Sequence, residues 1–289
     1  DFIRELSTDN PGEAWSYIKE AFMINGQVIG NAHEFAHIIG NLSYKKSGLA
    51  GIKICDDTFA FGCFHGVTEA MLLKEGTKRL KDIENGCLEI FPPQLSQGYT
   101  GCIHGTGHGV FTRNNGDLKK SLSDCDIISE NYRSYCYDGV FMENSTQPSN
   151  INVDVNNPWG LCSSLPERYH RNCARYQSQI FLSFFNNQKS LLVVGENCAK
   201  GSSVLLRETC YQSLGFYVAQ TALGKVGDIW ARCNEMPDYD GISICTTGAA
   251  IESVFQHYGD FKISSKELCN KLKDPKKTIC LESVNQMLK

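Results

Sequence analysis

No two cysteines in this sequence stand three residues apart. That absence removes thiolate zinc knuckles, iron–sulfur ligand runs, thioredoxin-type redox pairs and covalent haem attachment, all of which use a C-x-x-C step. No run of eighteen apolar residues occurs either, and the longest apolar stretches, such as residues 180–185, have the length of a core helix segment. Positive charge is not in excess: 28 Lys and Arg stand against 32 Asp and Glu, for a net charge of −4. Without a basic stripe the chain is a poor partner for nucleic acid. A first residue of Asp rather than Met is what a processed or trimmed product has.

What is present is a ladder of 14 cysteines. Cys63, Cys102, Cys136, Cys173, Cys210, Cys245 and Cys280 follow one another at steps of 34 to 39 residues. Cys55, Cys87, Cys125, Cys162, Cys198, Cys233 and Cys269 do the same at steps of 32 to 38. Two cysteines per unit, in seven units of about 36 residues, is the signature of a repeat protein. In five units the two cysteines are eleven or twelve residues apart, and the spacing predicts seven disulfides, one inside each unit. Closing a loop of that size stabilises by roughly 3 kcal/mol in the chain-entropy view. The competing reading is buried free thiols in a cytosolic solenoid, since Cys is a common core residue. The regular pairing favours disulfides, and with them an oxidising compartment: extracellular, periplasmic or cell-surface. The sequons at Asn41 and Asn144 agree with a secreted glycoprotein.

The stretch 196–222 shows the unit in its cleanest form. A short segment reaches Cys198, Lys200-Gly201-Ser202-Ser203 breaks it, and residues 208–219 then run with helical periodicity. The following units repeat the pattern through Pro237 and Gly241, and through Pro275. Each unit therefore reads as helix A, loop, helix B, with one cysteine near the end of A and the other near the start of B. Val and Ile do not alternate over long runs, which disfavours β-structure. Residues 11–48 form a further hairpin without cysteine, with helix A opening at Pro11 and helix B expected over 27–43. The expected fold is all-α: about eight αα-hairpins in one domain over 1–289, stacked as an open superhelix or a closed α/α toroid. Residues 1–50 would form the cap, 51–150 the site-bearing repeats and 151–289 the scaffold repeats.

Two residues beyond the cysteine that opens each helix B lie His65, His104, Asp138, Arg175, Gln212, Thr247 and Glu282, all polar. His33 takes that position in the cap. One turn further come His37, Glu69, His108 and Met142, so three successive B helices carry the i,i+4 pairs His33/His37, His65/Glu69 and His104/His108. Glu143 follows in the fourth, one residue off the face. Residues four apart project to one side of a helix. Two imidazoles so placed can share a cation at about 2.0–2.1 Å, and packed helices about 8–10 Å apart bring neighbouring pairs together. The reading is a transition-metal centre of one or two ions held by His33, His37, His65, His104, His108 and Asp138. The donor set suits zinc, then copper, then iron. The bland alternative is a set of polar residues lining a solvated groove, or histidines satisfied in the core.

Glu34 and Glu69 are the candidate catalytic groups, moving a proton for metal-bound water or dioxygen. His33-Glu34-Phe35-Ala36-His37 matches the H-E-x-x-H of zinc proteases letter by letter, where the Glu is the base, but no third ligand motif follows it. Arg175 and Gln212, next on the lane, are candidates for holding an anionic or polar substrate, small molecule or peptide. The glycines of Cys63-Phe64-His65-Gly66, Cys102-Ile103-His104-Gly105 and Cys136-Tyr137-Asp138-Gly139 recur beside the lane, with Gly107 and Gly109 around His108. Each costs roughly 0.8–1.0 kcal/mol against Ala in a helix interior. Either close helix packing or space at the site requires them. The competing function is a non-catalytic metal-binding or protein-interaction solenoid, with a partner on its concave or C-terminal surface.

Overall fold

A computed structural model describes residues 2–24, 27–28, 32–59, 61–91, 96–147, 154–185 and 190–288. The described residues form sixteen α-helices, joined by short 3₁₀ turns and one two-residue antiparallel pairing. All 14 cysteines are paired, in the predicted seven bridges, and none is free. None of the described helices is long and apolar enough to cross a membrane. Contacts divide the chain into two compact units, Asp1–Asn144 and Ser145–Lys289.

The first unit opens with α1 (Phe2–Asp9) and α2 (Pro11–Phe22). Asn10 caps α2 by accepting from the Glu13 amide, and Pro11 occupies the first turn, where its missing N–H costs nothing. Then come α3 (His33–Ser47), α4 (Gly62–Glu75), α5 (Leu80–Ile90), α6 (Ser96–Arg113) and α7 (Leu118–Cys125). Last is α8 (Arg133–Thr146), in whose final turns the unit boundary falls. The helices α3, α4 and α6 pack in chain order, α3 on α4 and α4 on α6, while α5 and α7 flank α6. The core between them holds Ile39, Phe64, Met71, Leu72, Ile83 and Ile103, all at 2 % exposure or less. Each contributes roughly 1.5–3 kcal/mol by leaving water.

Three sequence expectations are corrected here. The helix expected over 27–43 begins at His33, because Gln27 and Val28 pair with Ile24 and Met23 in a short antiparallel ladder. The element before Cys55 is a 3₁₀ helix, Gly48–Ile54, not an α-helix. Its Gly51 sits against the Ser43 carbonyl, where a β-carbon would come within 2.6 Å of the oxygen. The helix α1 was not anticipated, and it packs on both α2 and α3.

The second unit contains α9 (Gly160–Ser163), α10 (His170–Phe185), α11 (Leu192–Ala199), α12 (Val204–Ala222) and α13 (Val226–Cys233). It ends with α14 (Tyr239–Phe255), α15 (Phe261–Asn270) and α16 (Lys276–Met287). The longer helices α10, α12, α14 and α16 pack in chain order, with the shorter ones beside them. Ser203 and Asp238 cap α12 and α14 by accepting from the amides of Leu206 and Gly241. In all seven bridges the first cysteine lies at the end of one element and the second in the first two turns of the next.

The helix glycines are contact points. A β-carbon on Gly40 would lie 2.1 Å from the Cys63 carbonyl oxygen, and one on Gly66 would lie 2.1 Å from that of His37. Gly107 and Gly139 repeat this reciprocal contact between α6 and α8, each 2.1 Å from the other helix's carbonyl oxygen at Cys136 and His104. Gly215 and Gly248 do the same between α12 and α14, at 2.2 Å from the Cys245 oxygen and 2.5 Å from that of Gln212. Close packing, in both units, is therefore what these glycines serve.

Candidate metal centre

The close approach at Gly40/Gly66 sets α3 against α4, and Gly105 and Gly109 set α6 against α4, where a β-carbon on Gly105 would meet Cδ2 of His65 at 3.0 Å. The polar lane of these three helices is thereby drawn together. Five imidazoles form two groups, His33/His37/His65 and His65/His104/His108. Within each group the candidate ligand atoms all lie within 4.8 Å of one another, so either group could hold a metal ion.

The nearest contacts are shorter. Nε2 of His37 lies 3.1 Å from Nε2 of His33 and 3.2 Å from Nδ1 of His65. Nε2 of His108 lies 3.0 Å from Nε2 of His104. Two nitrogens bound at about 2.0–2.1 Å to one tetrahedral ion stand roughly 3.3 Å apart, so these separations are near those of a ligand set. The rings of His65 and His108 are stacked, with centroids 4.1 Å apart and planes at 25°.

Oxygens outside the cluster fix which nitrogen faces inward. Nδ1 of His33 is 2.7 Å from the carbonyl oxygen of Phe59, which can only accept. His33 therefore carries its proton on Nδ1, and in the neutral ring Nε2 is a bare lone pair aimed at His37. Nδ1 of His108 is 2.7 Å from Oε1 of Glu143. The bond to His108 holds the Glu143 carboxyl below its usual range, so it accepts as a carboxylate from Nδ1–H of His108, and Nε2 is the ring nitrogen turned inward. Nδ1 of His37 faces Oε2 of Glu69 at 3.7 Å. This is the outer arrangement that metal-bound histidines use to set tautomer and ring orientation. Burial lowers the His33 pKa, and it lowers that of the fully enclosed His65 further, with neighbouring imidazoles adding to both. Both rings are thus kept in the neutral, coordinating form.

The support for His33 is itself unusual. Phe59 has φ 55° and Phe61 φ 62°, left-handed values that cost a non-glycine residue roughly 1–2 kcal/mol each. The carbonyl that meets the His33 imidazole belongs to the first of these two residues.

The remaining candidates are placed as follows. Asp138 is buried on α8 with 8 % exposure and lies outside both triads. Glu34 is exposed on the first turn of α3, one residue round from His33. Glu143, one residue off the lane in the sequence, is the carboxylate in direct contact with the cluster. Its spacing from His108, near the repeat length, is the signal that could have singled it out. In the second unit Arg175 is exposed, its guanidinium over the rings of Tyr176 and Phe216 at 5.7 and 5.8 Å, and Gln212 is half-buried on α12. The two histidines off the lane belong to neither group: Nε2 of His170 lies 2.9 Å from the Leu165 carbonyl oxygen, and His257 packs edge-on against Phe261. Of the sequons, Asn41 is half-buried and Asn144 only 4 % exposed.

The chain matches no protein-family model, no curated protein and no solved structure.

Proposed function

We propose that this chain is an exported, disulfide-stapled protein built of repeated helix hairpins, whose first unit binds a transition metal through His33, His37, His65, His104 and His108. The observation that carries the reading is the inward aim of bare imidazole nitrogens 3.0 to 3.2 Å from one another, held so by the Phe59 carbonyl and the Glu143 carboxylate. Neutral imidazoles crowded at this distance need either a shared proton or a shared cation between them. Three nitrogens per group leave a further coordination position for water, dioxygen or substrate, the arrangement of catalytic rather than closed structural sites. Zinc suits this donor set best, copper next and iron third. A metal-dependent hydrolase or oxidase is the function this favours. Glu69, half-buried beside His37, is the better placed of the two candidate proton-transfer groups, and Glu34 is the more remote. Asp138 serves as a reserve carboxylate ligand, and Arg175 and Gln212 as candidate contacts for a polar substrate.

A second reading has its own support. His65 is 0 % exposed and His108 4 %, so two of the three rings of the second triad are enclosed and only the half-buried His104 reaches solvent, as suits an ion that is stored or structural. Elemental analysis with a metal-edge absorption spectrum tests the shared premise. Protein purified without metal that resists reloading would remove both readings, and the His104→Ala/His108→Ala double variant should lose bound metal. Turnover by the loaded protein, lost on replacing Glu69, separates enzyme from store.

A further inference from the structure

His65 belongs to both triads, and its two nitrogens have different surroundings. Nδ1 faces the first group, 3.2 Å from Nε2 of His37. Nε2 is buried and has no hydrogen-bond partner. A buried imidazole nitrogen without a partner forfeits roughly 1–3 kcal/mol of solvation, and native structures rarely leave one so. The ring edge that carries it meets α6, where Cδ2 comes within 3.0 Å of a β-carbon built on Gly105, next to His104. The ring of His65 stands 5.3 Å from that of His33 and 5.1 Å from that of His37, and 5.5 and 4.1 Å from those of His104 and His108. It is the one imidazole placed between the two i,i+4 pairs.

We propose that His65 bridges two metal ions, Nδ1 serving the ion held by His33 and His37, and Nε2 the ion held by His104 and His108. The inference rests on the metal reading above and adds to it a dinuclear centre with an imidazole bridge. Binding the first ion uses one lone pair of the neutral ring. Binding the second breaks the remaining N–H bond, a metal–nitrogen bond takes its place, and the proton leaves to the solvent buffer; no electron changes hands. The two outer pairs become equivalent ends of one site, each with an oxygen-anchored histidine, His33 at one end and His108 at the other. Such a bridge holds the two ions at opposite edges of one conjugated ring, through which they are coupled in charge and, if paramagnetic, in spin.

The test uses the full-length, disulfide-intact protein, stripped with a chelator and titrated with Cu(II) alone under electron paramagnetic resonance. The expected result is two equivalents bound, with the double-integrated signal rising through the first equivalent and falling several-fold, toward zero at low temperature, as the second couples to it. His33→Ala/His37→Ala should retain one ion with a full uncoupled signal, and His65→Ala, checked for helicity by circular dichroism, should show no coupling at any loading. Two ions with full signal intensity would overturn the bridge, as would saturation at a single equivalent, and either would leave the metal reading standing. No copper bound would overturn the metal reading and the bridge with it. The unmodified protein decides the matter by itself should the His65 variant fail to fold.

Discussion

Nδ1 of His108 and Oε1 of Glu143 lie 2.7 Å apart, across the contact between α6 and α8, and this pair aims the opposite nitrogen of the ring at His104. Outer carboxylates of this kind typically contribute 10- to 100-fold to metal affinity. Glu143→Gln keeps the shape and an acceptor oxygen but loses the charge. Zinc affinity measured by chelator competition should fall about tenfold in Glu143→Gln and up to about a hundredfold in Glu143→Ala. An unchanged affinity in both would mean that His108 is not a ligand.

The glycine contacts set the spacing between helices and can be tested separately from the histidines. Gly139→Ala gains roughly 0.8–1.0 kcal/mol of helix propensity. Its methyl would stand 2.1 Å from the His104 carbonyl oxygen, a backbone atom that cannot rotate away. Overpacking costs about 1–3 kcal/mol, so the substitution should destabilise on balance in chemical denaturation. It should also weaken metal binding, because α8 carries Glu143. Gly215→Ala, with the same contact in the second unit, should destabilise similarly while leaving metal affinity unchanged. Equal loss of affinity in both variants would detach the glycines from the site.

Acid should loosen the first unit through Glu84. Its side chain is 1 % exposed and accepts from Lys81 Nζ at 2.6 Å and from the Ser129 amide at 3.3 Å. Burial, the largest influence, pushes the carboxyl up, but these donors together outweigh it and hold the pKa below 4.5. A carboxyl lowered in the folded state binds fewer protons there than in the unfolded chain. Its stabilisation is complete above pH 4.5 and drains away as the pH falls through the lowered folded value. The denaturation midpoint of metal-free protein should drop across that window, and Glu84→Gln should drop less steeply. Parallel slopes for the two proteins would remove Glu84 from the account.

Reduction should raise the intact mass by fourteen hydrogens, two for each of the seven bridges. Cys269→Ala/Cys280→Ala, opening an eleven-residue separation, should cost about 2–5 kcal/mol in denaturant titration. Free thiols in the unfolded, unreduced protein would contradict the pairing.

The disulfides and the all-helical character were legible because both depend on short-range spacing: Cys198 to Cys210, or Cys233 to Cys245, name their partners by regular distance alone. The i,i+4 histidine pairs were legible for the same reason. Helix limits were not, since Gln27 and Val28 find partners across a reversal that no periodicity announces. Whether the recurrent glycines made room or made contact was equally hidden, because it depends on what the next helix puts opposite each one. Glu143 escaped the lane count by one residue, because a side chain reaching across to a neighbouring helix need not share that helix's register.

Every bridge joins residues only 8 to 15 positions apart. A growing chain entering an oxidising compartment would therefore carry each cysteine's correct mate within a few residues of it. Each crosslink can close before the next pair has arrived, leaving few wrong partners for an isomerase to undo. Given an oxidant, crosslinking would then run along the chain one cysteine pair at a time.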